Sequence, residues 1–103
     1  MQENDYLQAG ADCAYPIGIL DRTTIANLVN AINGPINILG GSATLALPEL
    51  EQLGVARVSL AGGLMRSALG HLRTIMRELL EQGTYTHMKA EALSSSEFGS
   101  LFP

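Results

Sequence analysis

Apolar residues recur along the chain in two rhythms that follow one another. Residues 11–17, 35–39 and 55–60 form short, nearly unbroken apolar runs, the length expected of strands buried on both faces. Elsewhere the apolar positions return at spacings of three and four. Ile25, Leu28, Val29 and Ile32 predict an amphipathic helix that Asp21 caps and that ends near Asn33-Gly34. Pro48 fits the first turn of a short helix running to Leu53, and Gly54 stops it. Leu64, Ala68, Leu72, Ile75, Met76, Leu79 and Leu80 predict the longest helix, from Leu64 to about Gln82, with Gly83 ending it. Its Leu and Met residues read as core. The chain opens on a helix-compatible segment closed by Gly10, and Ser94 with Glu97 predicts a capping box for a last helix carrying Phe98, Leu101 and Phe102.

The order is therefore strand, helix, strand, helix, strand, helix, with small-residue turns after the strands. Such alternation implies an α/β fold of parallel strands joined by right-handed crossovers. The boundaries that follow are a helix end over 1–10, βα units over 11–34, 35–54 and 55–83, and a helical extension over 84–103. Three strands leave two unpaired edges, which a soluble monomer hides poorly.

Composition narrows the functional classes. The 103 residues hold six Lys and Arg against ten Asp and Glu, a net charge of −4, which excludes the basic footprint of a nucleic-acid binder. Charged residues are 16% of the chain and hydrophobic ones 47%, a balance that favours packed or associating surfaces. A single cysteine leaves no internal disulfide and no Cys-rich metal site, and it points to a reducing compartment. No apolar run approaches the roughly 18 residues of a membrane span, and the start MQENDYLQ lacks the pattern of a signal peptide, so the expected location is cytoplasmic.

Few residues carry a chemical signal by themselves. Cys13 lies mid-strand without a basic neighbour on its N-terminal side and reads as a buried, inert thiol. His71 and His87 are not spaced to share a metal and read as solvated or interface histidines. Gly62 and Gly63 precede a long helix, but neither G-x-x-x-x-G-K-[ST] nor G-x-G-x-x-G is present, so no nucleotide site is predicted. Arg66, Arg73 and Arg77 read as a solvated stripe pairing with Glu78 and Glu81. Asn37 is a polar side chain within an apolar strand. Alternation sets it with Leu39, opposite Ile36 and Ile38, as an inward-pointing hydrogen-bonding residue.

Three ordered segments carry a resemblance: Gly10-Ala11-Asp12-Cys13-Ala14-Tyr15-Pro16-Ile17-Gly18, Gly34-Pro35-Ile36-Asn37-Ile38-Leu39-Gly40-Gly41, and Leu53-Gly54-Val55-Ala56-Arg57-Val58-Ser59-Leu60. It continues through Gly63-Leu64-Met65-Arg66-Ser67-Ala68-Leu69-Gly70, Glu81-Gln82-Gly83-Thr84-Tyr85 and Glu97-Phe98-Gly99-Ser100-Leu101-Phe102. Together they resemble the C-terminal part of the isocitrate lyase and phosphoenolpyruvate mutase superfamily. The resemblance implies a partial (β/α)8 TIM barrel: strands six to eight with their helices and a C-terminal extension, where a complete barrel takes about 250 residues. On that reading Asp12, at the start of a strand, serves stability.

Members of that superfamily make or break carbon–carbon or carbon–phosphorus bonds beside a carboxylate, with Mg²⁺ holding a 2-oxo acid or its enolate. Their acidic metal ligands, catalytic base and substrate arginine belong to earlier strands. The chain is accordingly expected to hold no catalytic residue and no metal site, and to be inactive and bind no Mg²⁺ alone. Ser59 stands where isocitrate lyases carry a Thr in a Thr-Leu-Ala-Gly run, which implies a hydroxyl contact to a substrate carboxylate. Gly40, Gly41 and Ser42 follow the preceding strand, where backbone N–H groups can meet an anion. Ile17 replaces a His or Glu of some members, and Leu39 and Gly41 lack polar side chains found nearby in methylisocitrate lyases, so the substrate class does not carry over. The expected partners are a small carboxylate if the barrel is completed, and another copy or a complementary N-terminal half. The alternative reading is a non-catalytic oligomerisation module built from the half-barrel, since family members exchange terminal helices across a dimer.

Overall fold

The computed structural model describes residues 1–18 and 20–103, which divide into two compact units, Met1–Gly63 and Leu64–Pro103. In the first unit the elements are α1 (Gln2–Gln8), α2 (Arg22–Ala31), β1 (Asn37–Leu39), α3 (Leu47–Gln52) and β2 (Arg57–Ser59), and from α2 onward helix and strand alternate as the periodicity predicts. β1 and β2 pair in parallel, with Asn37 opposite Arg57, Ile38 opposite Val58 and Leu39 opposite Ser59. Ala14 adds a single parallel bridge to Ile36 on the other side of β1.

The strand expected over 11–17 is thus reduced to one bridge, and the two later strands are shorter than their apolar runs. Nor is residue 11–17 buried on both faces: Ala14 and Pro16 are buried, whereas Tyr15 is 41% and Ile17 82% exposed. The physical reason is pairing. A run that meets a neighbour on one side only, and a helix layer on one face only, keeps half its side chains in solvent.

The covered face carries the core. Ile25 and Ile32 from α2 and its end, and Leu50 from α3, pack with Ala14, Ile36 and Ile38 of the sheet layer; Leu28, Val29, Leu53, Val55 and Val58 border the cluster. Local chemistry sets the helix ends. The Asp21 carboxylate accepts the Thr24 N–H at 2.7 Å, and this bond lowers the Asp21 pKa. Glu49 reaches back to the Ala46 N–H at 3.1 Å and also pairs with Arg22, tying the starts of α3 and α2 together. Asn4 of α1 closes the end of α2, donating to the Ala31 carbonyl at 3.0 Å and accepting the Asn33 N–H at 2.8 Å. Gly54 ends α3 at φ +91°, a conformation that costs other residues about 1–2 kcal/mol.

The second unit is organised differently. It contains nearly all of α4 (Gly63–Glu81), then α5 (Thr86–Lys89) and α6 (Ser95–Ser100). α4 and the capping box of α6 lie where the sequence predicts: Ser94 Oγ accepts the Glu97 N–H at 3.2 Å, and the Glu97 carboxylate accepts from the Ser94 hydroxyl at 2.7 Å and the Ser94 N–H at 2.9 Å, which in that order lower its pKa. The expectation that the Leu and Met residues of α4 are core is not met. Leu64, Met65, Leu69, Leu72, Met76 and Leu80 are all exposed, and Glu78 is the buried residue of the helix. Two short helices supply too little apolar surface to cover five turns.

Glu78 also departs from the solvated stripe. Its carboxylate accepts the Thr84 hydroxyl at 2.6 Å and the backbone N–H groups of Thr86 and His87 at 2.7 and 2.8 Å, and meets His87 Nδ1 at 2.5 Å. The Thr84 hydroxyl and the His87 N–H, ahead of the other bonds, pull its pKa down to about 2. An anion at the first turn of α5 satisfies donors that a helix start leaves free. The pairing with the α4 arginines gives way to this cap, and His87 is half exposed beside it.

Candidate functional site

The uncovered face of the sheet gathers the polar residues of its two strands, Asn37, Arg57 and Ser59. The parallel register sets Asn37 beside Arg57, and Leu39 beside Ser59, one row closer to the carboxyl ends of the strands. The Ala14–Ile36 bridge places Tyr15 level with Asn37 and Arg57. Asn37 is 1% exposed, and its amide is fully directed: Nδ2 donates to Ser59 Oγ at 3.0 Å, and Oδ1 accepts from Arg57 Nη1 at 3.2 Å. The internal hydrogen-bonding role read for Asn37 in the sequence is the one observed.

The loop after β1 adjoins the end of β2. Gly40 N–H donates to the Ser59 carbonyl at 2.8 Å, which brings Ser59 next to the start of the Gly40–Ser42 loop. A Cβ on Gly40 would lie 2.6 Å from Val58 Cγ1 and 3.2 Å from Leu60 Cδ2, so this approach of the two segments favours glycine. Gly41 N–H donates to Thr44 Oγ1 at 2.9 Å, and the Gly41 carbonyl accepts the Thr44 N–H at 3.1 Å. In this arrangement the Gly40 and Gly41 N–H groups are engaged within the chain. Ser42 lies exposed in the turn. Beyond β2, Ala61 holds φ +46°, a left-handed backbone next to the site.

The remaining candidates lie apart from this face or carry little. Cys13 is half-buried, with Sγ 3.6 Å from the Ala14 carbonyl. Asp12 and His71 are exposed. Among the described residues no three His, Cys, Asp or Glu side chains gather as a metal site. The polar side chains of Asn37, Ser59, Arg57 and the neighbouring Tyr15 are an amide, a hydroxyl, a guanidinium and a phenol. None is the anionic oxygen that Mg²⁺ prefers, and the guanidinium repels a cation, so these residues do not fit a metal.

Sequence reasoning did not single out Arg57. The available signal was a charge interrupting an apolar run two residues before Ser59, which in a strand places both on one face. No carboxylate pairs with it among the described residues, the two ion pairs there being Arg22 with Glu49 and His87 with Glu78. Glu51 borders the same hollow of about 310 Å³ between α3 and residues 55–58 without reaching Arg57.

The phosphoenolpyruvate phosphomutase family model matches residues 3–80. Among solved structures, the chain is similar to one assigned as a lyase/mutase from Burkholderia cenocepacia J2315, with 37% sequence identity and a TM-score of 0.88. That match covers 98% of this chain and 37% of the other, so the chain spans little more than a third of its relative's length. No curated protein matches it. No helix among the described residues is long and apolar enough to cross a membrane.

Proposed function

The chain belongs to the phosphoenolpyruvate phosphomutase family, within the isocitrate lyase and phosphoenolpyruvate mutase superfamily, and from that premise we propose that it is the C-terminal portion of a Mg²⁺-dependent lyase or mutase barrel, inactive alone. The observation that carries this reading is the sheet. Its parallel strands lie in sequential order, with helices on one face and polar groups on the other, and the matched relative is far longer. In a barrel that second face is the interior, and sites are built at the carboxyl ends of the strands.

On this reading the chain contributes part of the rim. Ser59 offers a hydroxyl to a substrate carboxylate, and the Gly40–Ser42 loop shapes the wall beside it. The metal, supplying charge stabilisation at a developing enolate, belongs to earlier strands. The substrate class is a small 2-oxo or 2-hydroxy carboxylate, and the compartment is the cytoplasm. The test is an assay of the purified 103-residue chain with Mg²⁺ against 2-oxo and 2-hydroxy dicarboxylates. No cleavage is the expected result, and turnover that scales with protein and disappears with chelator would overturn the reading.

One observation favours the alternative of an oligomerisation module. Leu64 is 70% and Leu80 82% exposed at the two ends of α4, with Met65, Leu69, Leu72 and Met76 between them. Light scattering decides this: a closed oligomer of defined mass supports the module, and a monomer removes it.

A further inference from the structure

Asn37, Arg57 and Ser59 form a relay whose direction is fixed by chemistry. A guanidinium can only donate, so the oxygen of the Asn37 amide must face Arg57 and its NH₂ must face Ser59. Ser59 Oγ therefore accepts, and its own proton is directed to a different acceptor. No such acceptor occurs among the described residues, and Arg57 keeps four further N–H donors beyond the one bonded to Asn37. The hub itself is buried, Asn37 being 1% exposed within the sheet and hydrogen-bonded at both ends of its amide. The result is a fork of N–H groups and one O–H, held on a buried support, lacking an anionic partner.

We infer that Arg57, oriented by the buried Asn37 and flanked by the Ser59 hydroxyl, is an oxyanion-recognition residue that takes a carboxylate group on the uncovered face of the sheet. Arginine suits this role because its planar fork matches two carboxylate oxygens. The carboxylate has two possible sources of the same chemistry: a small carboxylate substrate, or an Asp or Glu side chain from the segment that completes the sheet. In a closed barrel Arg57 would lose water, and a guanidinium so placed requires an anion beside it. This inference rests on reading that face as the barrel interior, and it adds a residue and a ligand class to the proposed site.

The test uses the ¹⁵N-labelled 103-residue chain, titrated with sodium oxalate and separately with sodium acetate at constant ionic strength. The Arg57 Nε–H and the Ser59 amide report binding. Saturable shifts at both are expected, with affinity reduced about tenfold in S59A and binding abolished in R57Q. Because Arg57 is exposed, R57Q should keep the wild-type thermal melt, which separates loss of the site from loss of the fold. R57K, retaining the charge without the fork, should bind weakly. Oxalate preferred at least about tenfold over acetate identifies a small polyanionic ligand as the source, and equal binding identifies a single carboxylate of the kind a side chain supplies. Shifts that are linear in anion, or that persist in R57Q, overturn the inference. Failure here leaves the inactivity of the chain untouched, and turnover by the chain alone would leave the anion site standing.

Discussion

The two units handle the same raw materials in opposite ways. In Met1–Gly63 the apolar residues of α2, α3 and β1 close on one another, and the polar hub at Asn37 leaves donors on Arg57 and Ser59 without acceptors among the described residues. In Leu64–Pro103 the apolar stripe of α4 stays exposed, while the polar hub at Glu78 is saturated by Thr84, Thr86 and His87. A buried polar group surrounded by satisfied partners is structural. One whose partners still have donors to offer points outward, to something the chain binds. Burial alone therefore does not mark a site; the inventory of leftover donors does.

Deleting the same kind of side chain in both units should have very different costs. Ile38→Ala removes a fully buried core residue and should cost about 2–5 kcal/mol in chemical denaturation. Leu80→Ala, at an 82% exposed position, should stay within about 0.5 kcal/mol. Equal costs would mean that α4 is covered in solution, and the Leu80→Ala effect would then grow with protein concentration.

Next in size is Gly40→Ala. The added methyl would lie 2.6 Å from the γ-methyl of the half-buried, β-branched Val58, which must shift within the sheet, whereas the exposed Leu60 can give way, so a loss of about 1–3 kcal/mol is expected. The same substitution at Gly70, where a Cβ meets nothing within 4 Å in the middle of α4, should instead stabilise by roughly 0.5–1 kcal/mol. Denaturant midpoints of the two variants, opposite in sign, sharpen the contrast between a packed and an unpacked unit.

How legible these features were depends on how local their causes are. Asp21 and the Ser94–Glu97 pair declared their helices because a cap is made within three residues. The order of strands and helices was readable for the same reason. Strand extent was not, because residues 11–17 become a strand only as far as neighbours pair with them. Glu78 spaced against arginines on one helix looked like a surface ion pair, whereas its partners arrive from residues 84–87 once Gly83 turns the chain. α5 escaped prediction because the anion at its start comes from the preceding helix. Ser59 was singled out by its place in the Ser59-Leu60-Ala61-Gly62 run, and the Gly40–Ser42 loop by its place after a strand. Arg57 was not, since its meaning lies in its register with Asn37 on another strand.

The saturated hub has its own signature in pH. Glu78 has a folded pKa of about 2 against an ordinary 4.5, so its contribution is complete above 4.5 and is lost as pH falls toward 2. Amide exchange at Thr86 and His87 should therefore accelerate between pH 4.5 and pH 2, relative to unprotected amides. Glu78→Gln should lower the melting temperature by roughly 5 °C and flatten this dependence. Anion binding at Arg57 should be unchanged in that variant, and a parallel loss would show that the two hubs are not independent.

The smallest expected effect lies at Ala61, beside the open hub. An alanine at φ +46° is held in a left-handed backbone that glycine adopts without penalty. Ala61→Gly relieves about 1 kcal/mol of strain but adds freedom to the unfolded chain worth about 0.4–1 kcal/mol, so the net change in stability should be slight. What distinguishes the readings is the oxalate titration of the same variant. If the strained turn serves the site, binding weakens while the melt stays put, because Ala61 follows the strand that presents Ser59 and fixes how the chain leaves it. If affinity is also unchanged, the turn is a consequence of the crossover into α4, and the anion site ends with the rigid pairing of β1 and β2.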